Sequence, residues 1–278
     1  MTELTETLSF AVNALGCTVH AEADSRESCA VLDRYIFPTY PRSHPGAAGP
    51  GPSPDPGPGV ALRVSQAATS GEEAAFHLFV DGQEAASAPQ PIGLVPHIVH
   101  AIDEAVVRQL AGLRAVHAGA VLLNGRALLL PGTTHSGKSA MVAELLRRGA
   151  TYFSDEYALI DREGLVHPYP RPLLLRDGGA DQVPVLAGEL NAGVGDTPAS
   201  LGWIVILDYK AGESWAVLPM AQSLAVLALL RNTPHTLADS PQMVEQFERA
   251  VSGAKCYTGR RGDAADAAAD LLRLIEQA

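Results

Sequence analysis

One short segment of the chain combines glycines, a lysine and hydroxyl residues at a spacing that suits phosphate chemistry. Residues 132–139 read Gly-Thr-Thr-His-Ser-Gly-Lys-Ser, which matches the pattern GxxxxGK[ST]. A strand-like run, RALLLP, precedes the segment, and a helical run, SAMVAELLRR, follows it. Glycines at these positions let backbone N–H groups turn toward phosphate oxygens at the positive end of a helix. The segment therefore predicts a phosphate-binding loop, or P-loop (Walker A motif).

In such a loop the residues have different expected tasks. Lys138 reaches the β- and γ-phosphates, and the Ser139 hydroxyl ligates magnesium. The predicted nucleotide-binding residues are Gly132, Thr133, Thr134, His135, Ser136, Gly137, Lys138 and Ser139. No guanine-reading NKxD motif follows a later strand, which disfavours a GTP-hydrolysing switch.

Phosphoryl chemistry also needs an acidic group near the metal and the attacking oxygen, and two places in the sequence offer one. Asp155 and Glu156 end the strand-like run TYFSDE that follows the P-loop helix. Asp208 ends the run LGWIVILD, but it equally suits the start of a turn, since ESWAVLP is expected to return as an antiparallel partner of that run. Because the C-terminal ends of adjacent parallel strands converge on a ligand, Asp155 is the favoured base and Asp208 the alternative.

Three further residues could contribute to the same site. His117 lies in the strand before an Asn-Gly hairpin, although a lone strand histidine is more often structural. Arg171 and Arg176 flank the sequence PLLL and could counter developing phosphate charge, or could equally be surface charges.

The order of these motifs resembles a known family. The residues HAGAVLLNGRALLLPGTTHSGKS, followed by LLRRGATYFSDEYALI, are similar to the HPr kinase/phosphorylase superfamily, and more closely to its HPr-kinase-like relatives beside bacterial peptide-modifying gene sets. The resemblance implies that the P-loop binds Mg-ATP and that Asp155 is the base for a substrate hydroxyl. It also implies that Lys138 and His117 act in the site, and that Ser139, Asp155 and Glu156 serve the metal.

The chain departs from that family at two places. The second acidic residue is Glu156 where the family has a second aspartate, and the region PYPRPLLLRDGG stands where an ELRG-type signature is expected. The resemblance also allows a homo-oligomer.

Composition excludes several other classes of function. The chain has 31 acidic and 20 basic residues, a net charge of −11, and no basic stripe, so no nucleic-acid partner is expected. No long apolar stretch or signal sequence is evident, so no membrane partner is expected. The cysteines, Cys17, Cys29 and Cys256, are few and widely separated, which favours a soluble cytoplasmic protein.

The predicted strands and helices around these residues indicate an α/β fold. Its core is expected to be an HPr-kinase-like P-loop domain in which helices flank a mixed sheet. Residues 1–95 are expected to form a β-rich N-terminal region with a mobile Pro/Gly loop at 42–59. Residues 96–278 form the P-loop domain, opened by a helix at Pro96 and containing a surface loop over 178–200. After residue 219 helices are expected to dominate.

Together these features predict an ATP-dependent kinase that transfers the γ-phosphoryl group to a hydroxyl acceptor, a serine or threonine of a peptide or small protein. Two alternatives stay open, a kinase for small-molecule hydroxyls and a non-catalytic module that senses ATP. The intact acidic pair favours catalysis, because sensing needs no base.

Overall fold

The computed structural model describes residues 8–40, 59–67, 75–133, 136–176, 181–234 and 241–277. They form two compact units, Met1–Leu110 with Leu174–Val185, and Ala111–Leu173 with Leu186–Ala278. The sequence placed a domain boundary at residue 95, whereas the first unit extends to Leu110; the assignment of functional domains stays a prediction. The predicted mobile loop lies outside the described residues except for Gly59.

The first unit is built on a five-stranded sheet with strands in sequence order. Its strands are β1 (Leu8–Ala14), β2 (Cys17–Ala23), β3 (Gly59–Ala67), β4 (Ala75–Val80) and β5 (Gln83–Ala88), and its helices are α1 (Arg26–Val31) and α2 (Val95–Gln109). Strands β2 and β3 are parallel and the other neighbours antiparallel. Helix α2 packs on β2, β3 and β4 with an apolar face. The predicted turn at Asp81-Gly82 joins β4 to β5, and both residues have positive φ, as a two-residue hairpin requires.

The second unit holds the P-loop segment. Its strands are β6 (Arg114–Leu123), β7 (Arg126–Pro131), β8 (Thr151–Ser154), β9 (Tyr157–Ile160), β10 (Leu165–His167), β13 (Ala199–Tyr209), β14 (Ala216–Pro219) and β15 (Lys255–Arg261). Its helices are α3 (Lys138–Arg147), α4 (Gln222–Arg231), α5 (Pro241–Val251) and α6 (Ala264–Glu276). A two-stranded sheet of β11 (Leu173–Arg176) and β12 (Gln182–Val185) lies mostly in the first unit.

The large sheet of the second unit has the order β10-β9-β6-β7-β13-β15-β14. Strands β7, β13 and β15 are parallel neighbours, so their C-terminal ends lie at one edge. Strand β6 enters antiparallel to β7 through the predicted Asn124-Gly125 hairpin, in which both residues have positive φ. This arrangement places the loop after β7 beside the ends of β13 and β15.

Helices pack on both faces of this sheet. Ala118 and Ala120 of β6 belong to the same core as Phe247 of α5 and Leu229 of α4. Gly119, which points the other way, faces Val142 of α3, and a Cβ there would approach the Val142 methyl to 2.6 Å. Helices α3 and α6 pack together in turn. The predicted fold class, an α/β core with a mixed sheet flanked by helices after a β-rich N-terminal region, is confirmed.

Two local expectations were wrong, and one strand was missed. Strand β14 pairs with β15 and not with β13, and β15 lies between two predicted helices, where no strand was predicted. The expected surface loop at 178–200 contains β12, a 3-10 turn at Ala187–Leu190 and the first residues of β13. The sequence signal for a strand at β15 was weak, because the basic residues and the glycine of KCYTGRR obscure the alternation of apolar and polar residues.

None of the helices in the described part of the chain is both long and apolar enough to cross a bilayer.

Candidate active site at the P-loop

The P-loop segment forms the connection that its sequence predicts, from a buried strand to the N-terminus of a helix. Strand β7 ends at Pro131 and α3 begins at Lys138, with Gly137 as its N-cap in the left-handed conformation at φ 79°. The Gly132 N–H donates to the His117 carbonyl at 3.2 Å, which ties the start of the loop to β6. Thr133 is exposed and Ser139 is half-buried in the first turn of α3. Thr134 and His135 lie outside the described residues.

Lys138 is a buried cation within this loop, 7% exposed. Its ammonium donates to the Thr133 carbonyl at 3.1 Å and lies 3.8 Å from a carboxylate oxygen of Glu156. Burial lowers the pKa of Lys138, while the charges of Glu156 and Asp155 oppose that change. The lysine is thus held by internal acceptors that a phosphate could replace.

The acidic pair lies in an interruption between two strands. Strands β8 and β9 both pair with β6, and the line they form breaks at Asp155 and Glu156. The Glu156 carbonyl still accepts from the Ala118 N–H at 3.0 Å. The sequence suggested that β8 lies beside β7 in a parallel sheet. In the structure β6 lies between these two strands and pairs with both. Strand β8 nevertheless runs in the direction of β7, which brings the acidic pair to the edge that carries the P-loop.

Glu156 and His117 form one contact of this pair. His117 Nδ1 lies 3.1 Å from Glu156 Oε1, and the imidazole packs against the Tyr157 ring at 4.5 Å between centroids. Burial would raise the pKa of Glu156, but the hydrogen bond with His117 and the charges of Lys138 and Arg171 outweigh it and lower the pKa to about 2. Glu156 is therefore ionised at neutral pH and links His117 to Lys138.

Asp155 makes different contacts. Its side chain is completely buried, and Oδ1 accepts from the Tyr152 hydroxyl at 2.9 Å and from Arg171 Nε at 3.0 Å. Oδ2 is buried as well and has no hydrogen-bond donor among the described residues. A buried carboxylate oxygen without a donor is costly, and a catalytic role or a bound ion or water are among the reasons that native proteins retain such atoms. Oδ2 is thus an acceptor of the site that no described residue uses.

The two other candidates from the sequence lie elsewhere. Asp208 is exposed at the end of β13, opposite Arg260 of β15. Arg176 is exposed at the end of β11 and belongs to the first unit. Of the two arginines flanking PLLL, only Arg171 is shown in contact with the acidic pair.

One residue of the site was missed at the level of sequence. Arg261, at the end of β15, is 2% exposed and donates from Nη2 to the carbonyls of Ser136 and Gly137, both at 3.1 Å. Burial lowers its pKa, opposed by the charges of Tyr209 and Asp263. No motif marks Arg261; only recognition of β15 as a parallel neighbour of β13 would have placed it beside the loop.

The residues present fit a nucleotide with its metal. The N-terminus of α3 and Lys138 suit phosphate oxygens, and the free Asp155 Oδ2 suits a cation or a hydroxyl donor. Among the described residues no group of three or more His, Cys, Asp or Glu side chains could hold a metal ion. A nucleotide-bound magnesium does not require such a group, since it uses few protein ligands beside phosphate oxygens and water.

Fold and site together define an α/β protein with a strand, the predicted P-loop segment and a helix, beside an acidic pair of which Asp155 is fully buried. No protein-family model matches the chain, and no curated protein matches it. The chain is similar to the solved structure of the HPr(Ser) kinase/phosphatase from Coxiella burnetii, with 13% sequence identity and a TM-score of 0.30. The match covers 59% of this chain and 99% of that chain. At this score it decides nothing about the site, whose assignment rests on the contacts above.

Proposed function

We propose that the protein is an ATP-dependent kinase of the HPr-kinase-like type, which transfers the γ-phosphoryl group to a hydroxyl acceptor. The observation that carries the proposal is the buried Asp155 carboxylate, whose Oδ1 is held by Tyr152 and Arg171 while its Oδ2 accepts no hydrogen bond from the described residues. A kinase needs a carboxylate to accept the proton of the attacking hydroxyl.

The chain's own residues divide the work as follows. Lys138 exchanges the Thr133 carbonyl and Glu156 for phosphate oxygens, and the N–H groups at the start of α3 bind further oxygens. Ser139, with Glu156 and Asp155, would hold Mg²⁺, which neutralises charge on the transferring group. His117 keeps Glu156 oriented through their hydrogen bond.

Transfer itself forms one bond and breaks another. Asp155 Oδ2 accepts the hydroxyl proton as the acceptor oxygen bonds to the γ-phosphorus, and the bond from that phosphorus to the bridging oxygen breaks, releasing ADP. Arg171, bonded to Oδ1 at 3.0 Å, holds the carboxylate in position for that step. Because Asp155 is fully buried, the acceptor must displace groups that cover it, which links transfer to binding of both substrates.

The acceptor class we propose is a serine or threonine of a peptide or small protein. The resemblance of residues from about 115 to 175 to HPr-kinase-like proteins beside peptide-modifying genes supports this class. A small-molecule hydroxyl would use the same proton transfer, so the acceptor has to be found by experiment.

The test is a transfer assay with Mg-ATP and two separate acceptor pools, one of Ser- and Thr-containing peptides and one of small hydroxyl metabolites. Wild type should phosphorylate a peptide. Lys138→Ala should lose ATP binding, because it removes the cation of the loop. Asp155→Asn should bind ATP within about twofold of wild type but transfer at least about 100-fold more slowly, the scale of general-base help.

Each other outcome changes the proposal in a defined way. Transfer only to the metabolite pool moves the acceptor to small molecules. Tight ATP binding with no transfer in either pool favours a sensor. Full transfer by Asp155→Asn with loss in Glu156→Gln would move the base to Glu156, and unchanged ATP binding by Lys138→Ala would remove the P-loop assignment.

A further inference from the structure

The carbonyl side of the P-loop is held by a side chain from a distant strand. Arg261 reaches the loop from the end of β15, two strands from β7 in the sheet, and its single Nη2 bonds two consecutive carbonyls, of Ser136 and Gly137. Its second terminal nitrogen, Nη1, donates to the Gly262 carbonyl at 3.0 Å. Both terminal nitrogens of the guanidinium are therefore hydrogen-bonded, and the side chain is buried.

The direction of these carbonyls determines where the loop's N–H groups point. A trans peptide unit is planar, with its C=O and N–H on opposite sides, and none of the described peptide bonds is cis. When the Ser136 and Gly137 carbonyls turn toward Arg261, the N–H groups of Gly137 and Lys138 turn away from it. The first N–H groups of a helix have no acceptor within the helix, and these are the donors that a phosphate would take.

Two further observations indicate that the space occupied by the Arg261 side chain suits a guanidinium. Tyr209, at the end of β13, lies under the guanidinium, with 4.9 Å from Cζ to the ring centroid. A Cβ at residue 137 would collide with Arg261 Nη2, so the glycine of the motif is also what lets the guanidinium approach. The Gly137 carbonyl accepts the Met141 N–H at 3.1 Å as well, so Arg261 and the first turn of α3 share one acceptor.

We propose that Arg261 is a positioning residue of the P-loop, which holds the Ser136 and Gly137 carbonyls outward and so presents the N–H groups of Gly137 and Lys138 to the phosphates of the nucleotide. The inference deepens the proposed function and rests on its nucleotide-binding part. Arg261 acts through the backbone, and it is not assigned a contact with the reacting atoms.

The test compares Arg261→Met and Arg261→Lys with Arg126→Met. Arg126 is a matched control in the same unit, because its Nη2 also donates to backbone carbonyls, of Leu201 at 2.9 Å and Gly253 at 3.4 Å, without contacting the loop. Calorimetry with Mg-ATP should give about a tenfold higher Kd for Arg261→Met, the loss of charge-assisted hydrogen bonds. Arg261→Lys should recover part of the affinity, since an ammonium donates to one carbonyl more readily than to two. Arg126→Met should stay within about twofold of wild type.

A second measurement covers variants that fold poorly. In nucleotide-free protein, hydrogen exchange at amides 141–143 should be faster in Arg261→Lys than in wild type and unchanged in Arg126→Met. A wild-type Kd in folded Arg261→Met, or unchanged exchange in Arg261→Lys, overturns the inference. If wild type itself does not bind Mg-ATP, the proposed function fails, and the exchange result still decides whether Arg261 orders the loop.

Discussion

Adjacent carboxylates in one turn have opposite surroundings. Glu156 is hydrogen-bonded to His117 and paired with Lys138, and a quarter of its side chain is exposed. Asp155 is fully buried and is bonded to Tyr152 and Arg171. A carboxylate that is hydrogen-bonded to His117 and paired with Lys138 suits a metal or a structural link. A buried carboxylate with one oxygen that accepts no hydrogen bond from the described residues suits proton transfer. This difference supports the proposal that Asp155, and not Glu156, accepts the proton of the hydroxyl.

The low pKa of Glu156 makes a prediction about acid stability. A carboxyl with a folded pKa of about 2, against 4.5 for the free group, stabilises the folded state fully above about pH 5 and loses that contribution as the pH falls toward 2. We expect Glu156→Gln to lower the free energy of unfolding by at most about 3 kcal/mol at pH 7. The difference from wild type should shrink between pH 4.5 and pH 2, measured by urea unfolding without nucleotide or metal.

Glu245→Gln is the control for that experiment. Glu245 lies in the same unit and pairs with Arg249 at 3.6 Å, but both side chains are more than half exposed. Exposed pairs of this kind contribute little. A Glu156→Gln difference that does not change with pH would show that the contacts of Glu156 do not depend on its charge.

The elements explain what the sequence could reveal of this site and what it could not. The P-loop, the Asn124-Gly125 hairpin and the acidic pair each depend on residues close in sequence, and their elements were predicted correctly. Arg261 and its loop partners are separated by more than 120 residues, and the link requires knowing that β15 lies beside β13. Strand order is set by tertiary packing, so the error over β14 and the omission of Arg261 have the same cause.

The packing of α3 on β6 predicts that Gly119 cannot gain a side chain without cost. A Cβ at Gly119 would lie 2.6 Å from the Val142 methyl in the middle of the helix that begins at Lys138. We expect Gly119→Ala to lower the free energy of unfolding by about 1–3 kcal/mol, the range for overpacked cores. Because α3 must shift to relieve the contact, Mg-ATP affinity should fall as well.

Gly188→Ala provides the matched control, since nothing lies within 4 Å of a Cβ there and the residue belongs to a 3-10 turn in the same unit. Chemical unfolding and calorimetry on both variants separate the two effects. Equal stability of Gly119→Ala and Gly188→Ala would mean that the helix and strand accommodate the methyl group without strain.

At the scale of the whole molecule, the described residues of the proposed site all belong to one unit. His117, the loop from Gly132, the acidic pair, Arg171 and Arg261 lie within Ala111–Leu173 and Leu186–Ala278. The first unit has its own sheet and buried residues, among them Val60, Leu62 and Leu78, and supplies none of these side chains. We therefore expect nucleotide binding to stabilise the second unit more than the first.

Hydrogen exchange with and without Mg-ATP tests that expectation on the full chain. A ligand that binds the folded state stabilises it by an amount that grows with its concentration, about 2.7 kcal/mol at 100 times Kd. We expect slower exchange at β7, α3 and β8 when Mg-ATP is added, and unchanged exchange in β2 to β4. Lys138→Ala should abolish the protection and serves as the control for a binding-specific effect. Equal protection in β2 to β4 and in α3 would contradict this expectation. It would mean that the two units unfold together, so that nucleotide binding stabilises the N-terminal sheet as much as the second unit.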